Sequence, residues 1–132
     1  MRESDYKTLI KYRCEEAIEA LEDAELLIDS KRYRSAVNRL YYAAFYAVLA
    51  VLLTKRLQYS KHSAVISFFD KEFIKTGILP KEYSRALHRA FYERQQDDYM
   101  PFVEFDAETI EQLGKDVRDL VCGVIAYIEK NT

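Results

Sequence analysis

Fourteen consecutive residues, Leu40 to Leu53, contain no charged side chain. Coiled into a helix, such a run is apolar nearly all the way round, and a helix of that kind has to be covered by neighbours on most sides. It is shorter than the roughly 20 residues that a membrane span needs, and Tyr41, Tyr42, Phe45 and Tyr46 crowd its first half. The run therefore predicts the central helix of a bundle and not a membrane segment. With 3 Gly and 2 Pro in 132 residues, the chain has too few turn formers for a sandwich or barrel. The cover has to come from other helices.

The periodicity supplies them. Tyr6, Ile10, Ala17, Leu21, Ala24 and Ile28 recur at helical spacing, which predicts a first helix over about Ser4 to Asp29. The central helix should run from about Arg32 to Lys55. A third, about His62 to Thr76, sets Val65, Phe69 and Phe73 on one face and stops at Gly77. Pro80 suits the first turn of a fourth, which runs to about Gln96 with Tyr83, Leu87, Ala90 and Phe91 inward. An irregular stretch, Asp97 to Phe105, follows. Its apolar Tyr99, Met100, Phe102, Val103 and Phe105 have to pack on the bundle or on a second chain. Asp106 can cap a fifth helix carrying Ile110, Leu113, Val117, Leu120, Val124 and Ile128. Gly114 and Gly123 inside it are explained if neighbours approach closely. With no linker and short connections, the expectation is one domain over residues 1–132, an all-α up-and-down bundle of about five helices.

Net charge is -2, which argues against a tight binder of duplex DNA. The total hides an asymmetry. Residues 31–69 hold no acid but Lys31, Arg32, Arg34, Arg39, Lys55, Arg56 and Lys61, and the flanking helices are acidic. The basic middle could meet RNA or a nucleotide phosphate, or the acidic helices could neutralise it within the fold. Cys14 and Cys122 lack metal-ligand spacing and read as small buried hydrophobes in a reduced compartment. The charged start, Met1 to Glu16, does not read as a signal peptide. The expected location is cytoplasmic, with no metal or other cofactor.

Arg39, Tyr42 and Tyr46 share one helix face. A guanidinium followed by two phenols can grip a phosphate and stack on a base; alternatively, Arg39 pairs with a carboxylate and the tyrosines pack inward. His62, at the start of helix three, could be an acid, a base or a phosphate contact at neutral pH, or a helix-start hydrogen bonder. His88 reads as surface. Arg94 sits four residues before Asp98 and beside Tyr99. It could be a fixed cation at a site, or an ion-pair partner of Asp98 that sets the helix end. Paired Asp97 and Asp98 are a weak signal for Mg²⁺ without further carboxylates.

These residues also carry a resemblance. Asn38-Arg39-Leu40-Tyr41-Tyr42-Ala43-Ala44-Phe45 resembles the central-helix signature of HEPN-domain proteins, within a small uncharacterised prokaryotic subfamily. His62-Ser63-Ala64-Val65-Ile66, the run Phe73 to Leu79, and Arg94-Gln95-Gln96-Asp97-Asp98-Tyr99 follow in the subfamily's order. The resemblance implies a bundle of four or five helices, like the substrate-binding subunits of nucleotidyltransferases, that forms a homodimer. Many HEPN proteins are metal-independent ribonucleases or toxins paired with a small nucleotidyltransferase. Their motif is an Arg followed after four to six residues by a His, with two copies facing across the dimer cleft. Arg94 matches the Arg. The positions for the His hold Tyr99, Met100 and Pro101. Tyr99 in that place is a poor proton shuttle, since a phenol titrates near 10. His62 could substitute if the fold brings it to Arg94.

Three readings follow. The favoured one is a dimeric binding or regulatory module of a toxin–antitoxin or stress-defence type, engaging RNA or a nucleotide, a partner nucleotidyltransferase, or both. It places Arg39, Tyr42, Tyr46, His62, Arg94, Asp98 and Tyr99 in the binding site. The second is a metal-independent endoribonuclease with Arg94 and Tyr99 as catalytic residues. The third is a purely structural dimer.

Overall fold

The computed structural model describes residues 1–100 and 102–132. Five α-helices follow in order: α1 (Glu3–Asp29), α2 (Tyr33–Leu53), α3 (His62–Phe69), α4 (Lys81–Tyr99) and α5 (Ala107–Lys130). One π-helical turn, Asp70–Ile74, directly continues α3. No strand occurs among the described residues. The all-α bundle expected from the periodicity is the observed architecture.

Helix α2 is the centre. Leu40, Tyr41, Ala43, Ala44, Phe45, Ala47, Val48 and every residue from Ala50 to Leu53 are buried, with Tyr42, Tyr46 and Leu49 half-buried. By length and composition alone α2 could cross a membrane, but 72% of its most apolar window is buried inside the fold. The inward stripes of α1, α4 and α5 supply the cover.

Helix α1 lies along α2 over the longest contact of the bundle and runs antiparallel to it. Arg56, just past α2, is ion-paired with Glu3 at the start of α1. The turn between them has Lys31 at φ 59°, and the Arg32 N–H donates to the Leu27 carbonyl at 2.8 Å. A lysine therefore takes the left-handed position at a helix end that glycine most often holds. Asp106 caps α5 as expected: its carboxylate accepts from the Thr109 N–H at 3.0 Å and the Thr109 hydroxyl at 2.8 Å. Those two bonds hold its carboxyl below the usual range.

Three local expectations need correcting. Helix three is not α-helical to Thr76. It widens at Asp70, whose carbonyl accepts from the Lys75 N–H at 2.8 Å, five residues on. Phe69 and Phe73 are both fully buried, and Gly77 at φ 78° ends the segment. Helix four continues through Asp97 and Asp98 to Tyr99. The Asp97 carboxylate is bound by Arg34 of α2, a tertiary contact that fixes the last turn. Cys122 is exposed; Cys14 is half-buried, and burial with Glu129 and Glu15 nearby pushes its thiol up to about 11.

The apolar stretch after α4 is only partly absorbed by its own chain. Phe105 packs against the core under the Arg34 guanidinium, at 5.7 Å. Tyr99, Met100 and Phe102 stay exposed, at 78%, 55% and 95%. His88 is on the surface, as expected, and its Nε2 lies 2.7 Å from Asp70.

The two glycines of α5 are both close approaches, of different severity. A Cβ at Gly114 would come 2.9 Å from the Ile28 Cδ1 methyl, which can shift. A Cβ at Gly123 would lie 1.8 Å from the Tyr83 hydroxyl and 2.5 Å from its ring. Alanine gains about 1 kcal/mol of helix propensity over glycine, whereas overpacking costs roughly 1–3 kcal/mol. Gly114→Ala should be close to neutral. Gly123→Ala has to expel the Tyr83 ring and should lower stability by about 1–2 kcal/mol. Urea unfolding of both variants checks the order; equal midpoints would contradict it.

Candidate functional site

The side chains singled out in the sequence converge where the first half of α2, the start of α3 and the last turns of α4 meet. Each element is placed for its own reason. Helix α2 is fixed by burial, α3 by Val65, Ile66 and Phe69 in the core, and α4 by Ala86, Leu87 and Ala90. Burying those residues brings His62 and Arg94 against the aromatic face of α2.

Tyr42 is the hub. The Arg39 guanidinium sits 5.3 Å from its ring centroid and that of Arg94 5.2 Å, while the Tyr46 ring lies at 5.7 Å. Arg94 also stands 5.0 Å from the Tyr41 ring. A guanidinium set against two tyrosine rings is held by its face, which leaves its N–H edge to bind something else. That edge is poorly satisfied. Nη2 donates to the Tyr42 hydroxyl at 3.3 Å and lies 3.9 Å from Asp98, and Nε is buried with no partner among the described residues. The Arg94–Asp98 pair expected at the helix end is thus present but long. Arg39 makes no ion pair among the described residues; both Nε and Nη2 donate to Asn38 Oδ1, at 3.2 and 2.9 Å.

His62 reaches this cluster through a residue the sequence reading left out of the site. Its Nδ1 is 2.7 Å from the Tyr41 hydroxyl, and its ring packs against Phe45 at a tilt of 39° with centroids 4.3 Å apart. Burial pushes the Tyr41 phenol well above its ordinary range, so it stays protonated. Burial first and the Arg94 charge second hold His62 below its ordinary 6.5, so the imidazole is neutral at pH 7. Both groups can donate or accept in this bond: with the phenol donating, Nδ1 accepts and Nε2–H is the donor that His62 offers the site; with Nδ1–H donating, Nε2 carries the free lone pair.

Of the residues expected here, Arg39, Tyr42, Tyr46, His62, Arg94 and Asp98 are gathered, with two qualifications. Tyr46 touches Tyr42, but it also borders a small acidic pocket with Arg39, Glu16, Glu19 and Asp23. Burial and then Glu16 raise its hydroxyl above the usual value. Tyr99, five residues beyond Arg94, is exposed and makes no hydrogen bond or ring contact with the cluster among the described residues. The residues missed were Tyr41 and Phe45, which look like core inside the apolar run. The available signal was that a buried tyrosine hydroxyl needs a partner. No group of three or more His, Cys, Asp or Glu side chains able to hold a metal occurs among the described residues.

The profile of the HEPN domain family matches residues 10–125. The chain belongs to the HEPN family. A UPF0332 protein of Thermotoga maritima is 44% identical over 108 residues, covering 82% of each chain. Two proteins of Methanocaldococcus jannaschii bear names that describe them as candidate toxins. One is 42% identical over 82% of this chain and 74% of its own length. The other is 38% identical over 72% of this chain and 71% of its own length. Among the positions where the HEPN ribonuclease motif would put a histidine after Arg94, Tyr99 and Met100 are exposed and Pro101 lies outside the described residues. The histidine that this HEPN chain does bring to Arg94 is His62, from another helix.

Because the Arg94 charge disfavours the imidazolium, Arg94→Gln should raise the His62 pKa toward 6.5. Following the His62 ring proton by NMR through a pH titration checks this; an unchanged or lower midpoint would refute the coupling. The sign for stability follows from linkage. A histidine depressed in the fold stabilises it fully above the unfolded value, and that contribution is lost as pH falls through 6.5 toward the folded value.

Proposed function

We propose that this chain is a HEPN-type binding and regulatory module that acts as a homodimer in a toxin–antitoxin or stress-defence type of system. It holds the phosphate of an RNA or nucleotide at Arg94 and engages a partner nucleotidyltransferase. One domain over residues 1–132, working in the cytoplasm without a metal cofactor, completes the reading.

A single observation carries it: the Arg94 guanidinium is incompletely satisfied, with a buried Nε that has no partner among the described residues and the Asp98 carboxylate 3.9 Å from Nη2. A guanidinium only donates, and it suits a phosphate, whose oxygens only accept. Arg39, on the other side of Tyr42, adds a second cation. The toxin-like names of the two archaeal relatives support the system type. The exposed Tyr99, Met100 and Phe102 beside the site support a face for a second protein.

The nearness of His62 to Arg94 also favours a second reading, a metal-independent ribonuclease. If the Tyr41 hydroxyl turned to accept from Nδ1–H, Nε2 would become a base able to take the 2′-hydroxyl proton as that oxygen attacks phosphorus. Tyr99 and Met100, at positions where the ribonuclease motif carries its histidine, supply no imidazole, so binding is the primary reading.

The test is incubation of the purified protein with labelled single-stranded RNA and labelled nucleotides in EDTA, reading retention and cleavage together. Retention without cleavage is expected, weakening as salt rises and falling about ten-fold or more in a folded Arg94→Ala variant. Cleavage in EDTA that Arg94→Ala abolishes would replace the binding reading with the ribonuclease. Neither retention nor cleavage, with Arg39→Ala and Arg94→Ala altering only stability, would leave a structural dimer.

A further inference from the structure

Adjoining the Arg94 cluster is a cavity of about 450 Å³ lined by Leu27, Arg34, Ser35, Asn38, Arg39 and Asp97. It is continuous with the cluster through Arg39, which lines the cavity and also stacks on the Tyr42 ring at 5.3 Å. Two of its polar groups have fixed orientations.

Asn38 is clamped by Arg39. Its Oδ1 accepts from Nε and Nη2 of the guanidinium, at 3.2 and 2.9 Å. A guanidinium has only donors, so the amide oxygen is the atom that faces it. What Asn38 has left for the cavity is its NH₂, a donor. Asp97 is held by Arg34, whose Nη1 donates to Oδ1; Arg34 Nη2 donates to the Val103 carbonyl at 2.9 Å. Asp97 Oδ2 has no partner among the described residues, which leaves an anionic acceptor. The cavity lining therefore includes an amide donor at Asn38, a carboxylate acceptor at Asp97, the Ser35 hydroxyl that can serve as either, the apolar Leu27 and the guanidinium groups of Arg34 and Arg39.

We infer that this cavity is a base subsite for guanine, next to the phosphate held at Arg94. The inference rests on the phosphate reading of Arg94 and adds the identity of the base. Guanine's Watson–Crick edge has two adjacent donors, N1–H and N2–H, beside one acceptor, O6. The donors match Asp97 Oδ2 and the acceptor matches the Asn38 NH₂. Adenine and cytosine carry a bare ring nitrogen where guanine has N1–H, and its lone pair would face the carboxylate. Uracil has one N–H, but its O2 would stand where guanine offers N2–H. A site whose polar pair is matched by guanine disfavours such mismatches, because its own groups are then left unpaired. Guanine is supplied either by a free nucleotide or by a residue in single-stranded RNA.

Two sets of titrations with the full-length protein decide the matter. One compares 5′-GMP, 5′-IMP, 5′-AMP, 5′-UMP and 5′-CMP. The other compares a short oligouridylate with the same oligomer carrying one guanosine. GMP should bind about ten-fold more tightly than AMP, UMP or CMP, with IMP, which lacks the N2 amino group, in between. Asp97→Asn should bring the GMP-to-AMP affinity ratio close to one; the GMP-to-IMP ratio of the unaltered protein tests the same contact if that variant fails to fold. Guanine preference confined to the oligomers assigns the subsite to RNA, and preference among the mononucleotides assigns it to a free nucleotide. Equal affinities in both sets would overturn the guanine subsite while leaving the phosphate site standing. Failure of any nucleotide or oligomer to bind would overturn both.

Discussion

Helix α2 is apolar on nearly every side, and the fold is the arrangement that hides it. Burying one Val, Leu or Phe side chain is worth about 1.5–3 kcal/mol, and α2 carries a continuous series of them. Neighbours on one side are not enough. Helix α1 takes the longest contact, and α4 and α5 close the rest. The candidate site is a by-product of that constraint. Arg39, Tyr41, Tyr42 and Phe45 belong to the same helix that organises the core, so whatever covers α2 is delivered to them. The start of α3 brings His62, and the end of α4 brings Arg94.

Charge is then sorted by position. The basic middle of the chain is partly neutralised by the acidic helices: Arg56 by Glu3, Lys55 by Glu72 and Arg34 by Asp97. Each of these pairs lies at or near an end of α2 and ties it to another element. Exposed pairs of this kind are worth little individually, so their part is in placing chain segments more than in adding stability. The cations not absorbed in this way are informative. Arg39 is oriented by an amide and borders a pocket with Glu16, Glu19 and Asp23, and Arg94 is set against two tyrosine rings with Asp98 at 3.9 Å. A chain of net charge -2 thus brings two cations, neither in a short ion pair among the described residues, to one aromatic-lined place.

One hydrogen bond bears on the character of that place. A carboxylate or carbonyl on Nδ1 would have fixed the proton there and left Nε2 as a base. A phenol kept protonated by burial can instead donate to Nδ1 or accept from it. The same histidine, the same distance and the same neighbouring arginine serve grip when Nδ1 accepts and cleavage when Nδ1–H donates.

Much of the architecture was legible in the residues because helical periodicity is a local property. The apolar run at Leu40 to Leu53, the stripes of α1 and α5, the cap at Asp106 and the close approaches at Gly114 and Gly123 can be read without knowing what packs where. Arg39, Tyr42 and Tyr46 on one face follow from the same spacing. The tertiary structure alone decided the rest. The π-helical turn at Asp70 interrupts a segment whose Val65, Phe69 and Phe73 spacing reads as continuous α-helix. Helix α4 runs on to Tyr99 with Asp97 tied to a residue 63 positions away. Tyr41 meets His62 across 21 positions and Tyr42 meets Arg94 across 52. Spacing along a chain reports which side chains share a helix face; it carries no record of which face of another helix arrives opposite. That depends on burying all the apolar surfaces at once, and only the folded chain expresses the result.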